Sequence, residues 1–314
     1  MMSKNLRIIY MGSPDFAVAP LRALIEAGYK PLAVVTRPDK PRGRGGKLAP
    51  TAVKLAALEM GLPVLDPLRV NDPESVAEIS AFRPDLLLTV AFGQILKKEL
   101  LRLPPLGAVN LHASLLPAYR GAAPIQRAVI NGESESGVTT MYMNEGLDTG
   151  DIILKSRCDI GAEESGGELH DKLMLLGGDL LCRTISLIEG GRAPRKPQDD
   201  ALATYAPPII AKDEIVNWQM SASAIHNQIR GLSPWPVAYS FWKGKRLKLW
   251  RCHIRPNRFE AEPSAVVAVD RQGVWLATGK GELCLTQVQP QGKSPMDACA
   301  FARGYGVTTG LTLG

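Results

Sequence analysis

The sequence lacks the marks of a zinc, disulfide-stabilised or membrane protein. None of its five cysteines stands in a CxxC or CxxH pair, which argues against zinc and a disulfide framework and is typical of a reducing compartment. The longest uncharged stretch of note, residues 103–119, contains three prolines and a histidine, and the N-terminus shows no signal-peptide pattern. We therefore expect a soluble, cytoplasmic protein with no metal and no membrane partner.

The glycine pattern of a dinucleotide site is also missing. The first predicted strand ends in the turn 12–16, which holds one glycine and a proline, whereas a Rossmann fingerprint needs three glycines. No GxxxxGK[ST] segment occurs either. Both absences disfavour a nicotinamide-dependent oxidoreductase and a P-loop phosphate site.

Net charge is absent from the first two thirds of the chain. The formal charge of +6 resides in residues 209–314, which hold 13 Lys and Arg against 7 Asp and Glu. Such asymmetry is typical of a protein with a polyanionic partner, and a solubilising surface is the alternative. Charge alone does not decide between the two.

Residues 1–189 show an alternation of strand and helix patterns. Residues 85–90 are nearly all apolar, as in a strand buried on both faces, and helices are predicted over 94–101 and 168–188 among others. The short loops between these elements indicate an α/β domain with a Rossmann-like, doubly wound parallel sheet. Gly177-Gly178 inside the last helix predicts close packing or a bend, since each glycine costs about 1 kcal/mol there relative to alanine.

A Gly/Pro/Arg-rich stretch, 190–198, interrupts this pattern and has the composition of a linker. Beyond it, about five short strand patterns with tight turns predict a small all-β barrel of the oligonucleotide-binding type. We therefore divide the chain into an α/β domain (1–189), a linker (190–208) and a barrel domain (209–314).

Two polar side chains stand at the end of the predicted strand 108–112. Asn110 and His112 are two residues apart, so both emerge on one face, at the sheet edge where open α/β sheets bind ligands. An amide beside an imidazole can polarise a carbonyl and bind a developing oxyanion, and a core histidine with satisfied hydrogen bonds is the structural alternative. Asp148 or Asp151, in a glycine-flanked turn, could reach the same edge, but the residues alone favour a carboxylate that forms the turn by bonding its own backbone.

Two longer motifs enclose these residues. The pattern V-N-L-H-x-S-L-L-P-x-Y-R-G spans 109–121, and G-x-T-x-x-x-M-x-x-G-L-D-T-G-D spans 137–151. Both resemble motifs of the formyltetrahydrofolate-dependent formyltransferases. The segments IIYMGSPDFA, TRPDKPRGRGGKLAPTAVK and GLSPWPVAY extend the resemblance over nearly all 314 residues.

The resemblance implies a site as well as a fold. Asn110 and His112 would stabilise the oxyanion of an acyl transfer, and Asp148 would complete the catalytic set as its acid and base. No metal is implied. Contacts with the tetrahydrofolate of the formyl donor, 10-formyltetrahydrofolate, are implied for Ser114, Leu115, Leu116 and Pro117.

Two basic segments narrow the resemblance to the branch of the family that formylates methionyl initiator tRNA. Residues 37–47 carry five basic side chains and one acidic, and residues 243–258 carry seven and none. Either segment alone could be a solvated surface, but the two together favour contact with an RNA backbone, and Trp250 in the second could stack on a base. We expect a monomer whose tRNA contacts include Arg42, Arg44, Lys47, Lys245, Arg246 and Lys248.

Two other functions remain open on the sequence alone. A formyltransferase or formyl hydrolase acting on a small molecule would share Asn110, His112 and Asp148 but should lack the basic segments. A non-catalytic RNA-binding protein on the same scaffold would bind RNA without turnover, and the intact catalytic set argues against it.

Overall fold

The computed structural model describes residues 6–42, 46–256 and 260–314. Strands and helices alternate along the first part of the chain, and strands dominate the second. The elements of the first part are β1 (Ile8–Gly12), α1 (Val18–Glu26), β2 (Ala33–Val35), β3 (Lys40–Arg42), β4 (Lys47–Ala49), α2 (Ala52–Glu59), β5 (Val64–Leu65), α3 (Pro73–Ala81), β6 (Leu86–Val90), α4 (Lys98–Leu101), β7 (Ala108–His112), β8 (Arg120–Gly121), α5 (Pro124–Ile130), β9 (Glu135–Tyr142), β10 (Ile152–Asp159) and α6 (Gly166–Glu189). Those of the second part are β11 (Tyr205–Ala206), α7 (Ala222–Gly231), β12 (Tyr239–Trp242), β13 (Lys245–Arg255), β14 (Val266–Val269), β15 (Val274–Ala277), β16 (Glu282–Pro290), β17 (Met296–Asp297) and α8 (Ala298–Tyr305).

The chain forms two units that are not contiguous in sequence. The first unit takes its described residues from 1–121, 136–158 and 170–205, and the second from 122–135, 159–169 and 206–314. The chain therefore passes between the units more than once. No helix among the described residues is both long and apolar enough to cross a membrane.

A seven-stranded sheet is the centre of the first unit, in the order β10-β9-β7-β6-β1-β2-β5. Strands β5, β2, β1, β6 and β7 run parallel, and β9 is antiparallel to β7. Every residue of β1 and β6 is buried, because apolar side chains cover both faces of a parallel sheet. The α/β prediction is confirmed, and β9 makes the sheet mixed.

Glycines let α6 approach the sheet and its neighbouring helix closely. A Cβ atom at Gly177 would lie 2.7 Å from Cδ2 of Leu111 on β7, and one at Gly178 would lie 3.0 Å from Cβ of Ala23 on α1. Both distances are shorter than ordinary van der Waals contact. The close packing expected at this glycine pair is confirmed.

An antiparallel sheet forms the centre of the second unit, in the order β12-β13-β16-β15-β14, with β17 paired to β16. On β13, Leu247 and Leu249 enter the apolar core, while Arg246 and Lys248 lie on the alternate face. The apolar core also includes Phe301 of α8, whose ring meets that of Trp242 edge-on at 6.1 Å between centroids. The predicted β-sheet domain is confirmed as an antiparallel sheet, and helices α7 and α8 accompany it.

One local prediction is wrong, and some elements of the structure were not predicted. Only Lys98–Leu101 of the helix expected over 94–101 is helical. The side chain of Asn71 donates to the carbonyl of Ile95 and accepts from the N–H of Lys97. These backbone groups are therefore not free to form the hydrogen bonds of a helix. The β3–β4 hairpin inside the first basic segment and helix α8 were not predicted.

We expect opposite effects of two glycine substitutions in helices. Gly178→Val should lower the free energy of unfolding by about 1–3 kcal/mol, because the added methyl groups must displace α1. Gly304→Ala is the control: apart from its chain neighbours and its own helix backbone, no atom of the described residues lies within 4 Å of a Cβ placed there, and alanine should raise stability by about 0.5 kcal/mol. Urea denaturation of the two variants measures both effects, and a loss of equal size would contradict the packing argument.

Candidate active site

Asn110 presents an amide group at the edge of the central sheet. The parallel register of β6 and β7 places Thr89 opposite Asn110, and the Thr89 hydroxyl donates to Oδ1 of Asn110 at 2.9 Å. That bond orients the amide so that its NH2 group points away from Thr89. Among the described residues no partner approaches this NH2 group, so it can donate to a ligand.

His112 follows on the same face of β7 and is 6% exposed. Its Nε2 lies 2.9 Å from the carbonyl oxygen of Tyr119. Because a carbonyl only accepts, Nε2 carries a proton, and Nδ1 of the neutral ring carries the lone pair. Nδ1 faces Oδ2 of Asp148 at 3.6 Å. Nδ1 is therefore the ring nitrogen of His112 that faces the carboxylate.

Asp148 lies in the loop between β9 and β10, with its side chain 14% exposed. Its Oδ2 accepts from the backbone N–H of Gly121 at 2.8 Å, which belongs to a distant part of the chain. Asn144 forms the turn instead, since its Oδ1 accepts from the N–H of Gly146 and from the Thr149 hydroxyl. The Asp148 carboxylate is thus directed toward His112 and not toward its own backbone.

The segment expected to contact tetrahydrofolate follows β7. The Ser114 hydroxyl is buried and donates to the carbonyl of Ala118 at 2.6 Å, and Leu116 is fully buried. Leu115 and Pro117 are half-buried. Two of the four side chains therefore build the loop itself, and the other two are the accessible ones.

The residues expected to bind tRNA fall into two groups. Arg42 and Lys47 pair across the β3–β4 hairpin, and Arg44 lies outside the described residues. Lys245, Arg246 and Lys248 are on β13 of the second unit.

The face of β13 around Arg246 and Lys248 has a defined structure. The Arg246 guanidinium stacks on the Tyr239 ring at 3.9 Å, and Nζ of Lys248 donates to the carbonyl of Pro236 at 3.2 Å. A cleft of about 450 Å³ includes both basic residues in its lining, together with Phe241, Gly244, Gln289, Pro290, Gln291 and Gly292. Trp250 is half-buried and its indole N–H donates to Gln289, which leaves only part of the ring accessible.

Several residues of the site were not predicted. Thr89 gave no signal because it lies within an apolar strand, and the N–H of Gly121 acts through the backbone, which the sequence does not reveal. Arg120 and Gln198, which brace the Asp148 loop, are 78 residues apart. Among these residues, the only sequence signal was that Arg120 and Gly121 end the motif that carries the family resemblance.

Neither a metal nor a thiolate is positioned for chemistry in the described parts of the chain. No three His, Cys, Asp or Glu side chains in residues 6–42, 46–256 and 260–314 are grouped so that they could bind a metal ion. Burial raises the pKa of the Cys252 thiol, and burial together with the negative charge of Asp270 raises the pKa of Cys284 to about 12. Both thiols are therefore protonated at neutral pH.

Both parts of the chain match models of the same protein family. A family model described as "Formyl transferase" matches residues 4–185, and one described as "Formyl transferase, C-terminal domain" matches residues 208–306. A relative from Moorella thermoacetica named "Methionyl-tRNA formyltransferase" is 50% identical over 309 residues, which cover 98% of this chain and 99% of the relative. A relative of the same name from Symbiobacterium thermophilum is 51% identical over 307 residues, 97% of this chain and 94% of the relative.

A solved structure shares the fold. The N-formyltransferase from Helicobacter canadensis, in complex with folinic acid and dTDP-3-aminofucose, has a TM-score of 0.65 and 19% sequence identity to this chain. The match covers 89% of this chain and 99% of that one. At this identity the likeness concerns the fold alone.

We expect the buried thiols to resist alkylation. At pH 8, iodoacetamide should leave Cys252 and Cys284 unlabelled, because a thiol whose pKa is about 12 has almost no thiolate at that pH. The partly exposed Cys158 and Cys182 serve as internal controls. Mass spectrometry of peptides from native and urea-unfolded protein makes the comparison. Rapid native labelling of Cys252 or Cys284 would show that the second unit opens in solution.

Proposed function

We propose that this chain, which belongs to the formyl transferase family, transfers the formyl group of 10-formyltetrahydrofolate to the α-amine of methionyl initiator tRNA. The protein is a one-carbon transferase of translation initiation. One observation carries the proposal: Asn110, His112 and Asp148 converge at one sheet edge in a chain that is 50% identical, over nearly its whole length, to a methionyl-tRNA formyltransferase.

The reaction forms a C–N bond between the amine and the formyl carbon, and the bond from that carbon to N10 of the folate breaks. Negative charge develops on the formyl oxygen as the amine attacks. The free NH2 group of Asn110 is placed to stabilise that charge, and we assign the ring of His112 to the same role. The Tyr119 carbonyl fixes the proton on Nε2 and with it the orientation of the ring.

A proton leaves the attacking amine and one must arrive at the departing N10. We assign this transfer to Asp148, acting directly, through water or through His112, whose Nδ1 is 3.6 Å from the carboxylate. An unperturbed α-amine has a pKa of about 8, so a neutral nucleophile is available near physiological pH. No covalent intermediate with the enzyme is required.

The donor is proposed to lie along the loop 114–117. Leu115 and Pro117 offer partly accessible apolar surface to the pterin system, whereas Ser114 and Leu116 fix the loop from inside. The four residues expected to contact the folate thus divide into two that touch it and two that shape the backbone beside it.

The tRNA is proposed to bind through two separate basic segments. By family resemblance, the first basic segment, with Arg42, Arg44 and Lys47, approaches the acceptor end and carries recognition. Arg246 and Lys248 on β13 contact phosphates and supply general affinity, with Lys245 at the exposed start of the strand.

Three further expectations remain proposals. The division into a catalytic domain (1–189), a linker (190–208) and a tRNA-binding domain (209–314) is supported by the family matches at 4–185 and 208–306. We also propose a monomer, which sedimentation would test, and a cytoplasmic location, where charged initiator tRNA and folate are present together.

One assay separates this function from its alternatives. The protein is incubated with labelled 10-formyltetrahydrofolate and either methionyl initiator tRNA, methionyl elongator tRNA or a nucleotide-linked amino sugar. Label should appear on the α-amine of the initiator tRNA. Label on the sugar amine, formate release without an acceptor, or tRNA binding without transfer would each contradict the proposal.

We expect each member of the catalytic set to be essential. Asn110→Ala and His112→Ala should each lower kcat about 100-fold or more, because each loses a group that stabilises the oxyanion. Asp148→Asn should be nearly inactive, because the amide has the same size but cannot take a proton. Arg271→Ala, at an exposed position in the turn between β14 and β15, is the control. Steady-state kinetics decide, and any of the three variants with near-parental kcat loses its assigned role.

The basic segments should affect tRNA and not folate. Arg246→Gln should raise KM for tRNA and reduce the slope of log KM against log salt by about 1. Arg44→Ala should impair tRNA formylation strongly at every salt concentration. Lys280→Gln is the matched control, because it removes an equal charge from the turn between β15 and β16, near the Arg255 end of β13. Weaker folate binding with an unchanged tRNA KM would reject the assignment.

A further inference from the structure

Gln198 joins the Asp148 loop to Arg120 through the two ends of its carboxamide. Its Nε2 donates to the carbonyl oxygens of Asp148 at 2.7 Å and Gly150 at 2.8 Å. Its Oε1 accepts from Nε and Nη2 of Arg120 at 3.1 and 3.0 Å. Because a carbonyl only accepts and a guanidinium only donates, these partners fix which end of the amide is which.

Arg120 is a buried cation whose partners come from the same stretch of chain as Gln198. The residue is 2% exposed, and besides Gln198 its Nη2 donates to Asp200 at 2.7 Å. Its backbone N–H donates to the carbonyl of Thr204 at 2.8 Å. A buried charge is costly unless it is paired, so these bonds order a segment that composition marks as a linker.

The next residue along the chain reaches the other side of Asp148. The N–H of Gly121 donates to the Asp148 carboxylate at 2.8 Å. Arg120 restrains the backbone of Asp148 indirectly, because it bonds to Gln198, which bonds to the Asp148 carbonyl. Asp148 has φ of +53°, in the left-handed region that a residue other than glycine adopts only when its surroundings hold it there. The Arg120-Gly121 pair thus restrains both the carboxylate and the strained backbone.

We propose that Gln198 is a positioning residue that fixes the Asp148 carboxylate against His112. The proposal rests on the role in proton transfer proposed for Asp148. Glutamate would set a carboxylate oxygen against two carbonyl oxygens, and asparagine would be one methylene too short. Without the two bonds from Nε2 the loop can shift, and a displacement of about 1 Å in a catalytic group can cost about 100-fold in rate.

Two variants test the proposal against a matched control. Gln198→Met keeps the length of the side chain but removes every hydrogen bond, and Gln198→Glu keeps the contact with Arg120 but not the donors. Each should lower kcat about 10- to 100-fold, with KM for donor and tRNA within about twofold of the parent. Gln228→Met is the control, since Nε2 of Gln228 also donates to two backbone carbonyls, those of Asp213 and Ile215, in the second unit.

The control should keep the parental kcat, and melting temperatures confirm that all three variants are folded. A Gln198→Met or Gln198→Glu protein with parental kcat overturns the proposal, and so does a loss confined to KM. If either variant fails to fold, the other supplies the result. If Gln198→Glu had the parental kcat, the contact with Arg120 would hold the Asp148 loop in place without the two bonds from Nε2, which contradicts the proposal.

A double-mutant cycle separates positioning from a general structural effect. In the background of Asp148→Asn, Gln198→Met should lower the residual rate no further, because the group that it positions is already inactive. Full additivity overturns the proposal. Near-parental activity of Asp148→Asn alone would overturn the role proposed for Asp148 and this inference with it. That outcome is seen without any change at Gln198, so the two failures are distinguishable.

Discussion

The alternation of side chains along β7 is the constraint on which the site depends. Leu111 packs against α6 at Gly177, where no room remains for a side chain. Asn110 and His112 must therefore lie on the opposite face, and the register of β6 places Thr89 beside Asn110 on that face. A shift of one residue in the register of β7 would turn Asn110 and His112 toward α6 and Leu111 toward the site. The packing of Leu111 at the glycine in α6 therefore also fixes the face on which the catalytic pair lies.

This part of the site is local, which is why the sequence could predict it. Two residues on one strand share a face whatever the tertiary structure, and the position of an apolar strand within an α/β pattern marks its carboxyl end as a ligand site. Local sequence patterns also predicted the close packing at Gly177-Gly178, since two glycines are costly inside a helix. The local pattern gave a wrong prediction for the residues before Lys98, where Asn71 bonds to the backbone and prevents a helical turn from forming.

The rest of the site depends on contacts between distant parts of the chain. The residues alone favoured an Asp148 that bonds its own turn, which is wrong, and only the family resemblance favoured an Asp148 that reaches His112. The structure gives the physical reason: Asn144 forms the turn and leaves the carboxylate of Asp148 to the N–H of Gly121. Gln198 gave no signal at all, because its partners are two carbonyls and one guanidinium that no pattern connects.

The segment around Gln198 shows how composition and order can disagree. Residues 186–207 fall between the two family matches, and Gly, Pro and Arg residues there are typical of a linker. Flexibility nevertheless requires that a segment have no buried partners, and Arg120 cannot be buried without Gln198 and Asp200. The need to satisfy one buried guanidinium therefore orders this stretch, and the ordered stretch in turn supplies the two N–H donors that the strained Asp148 loop requires.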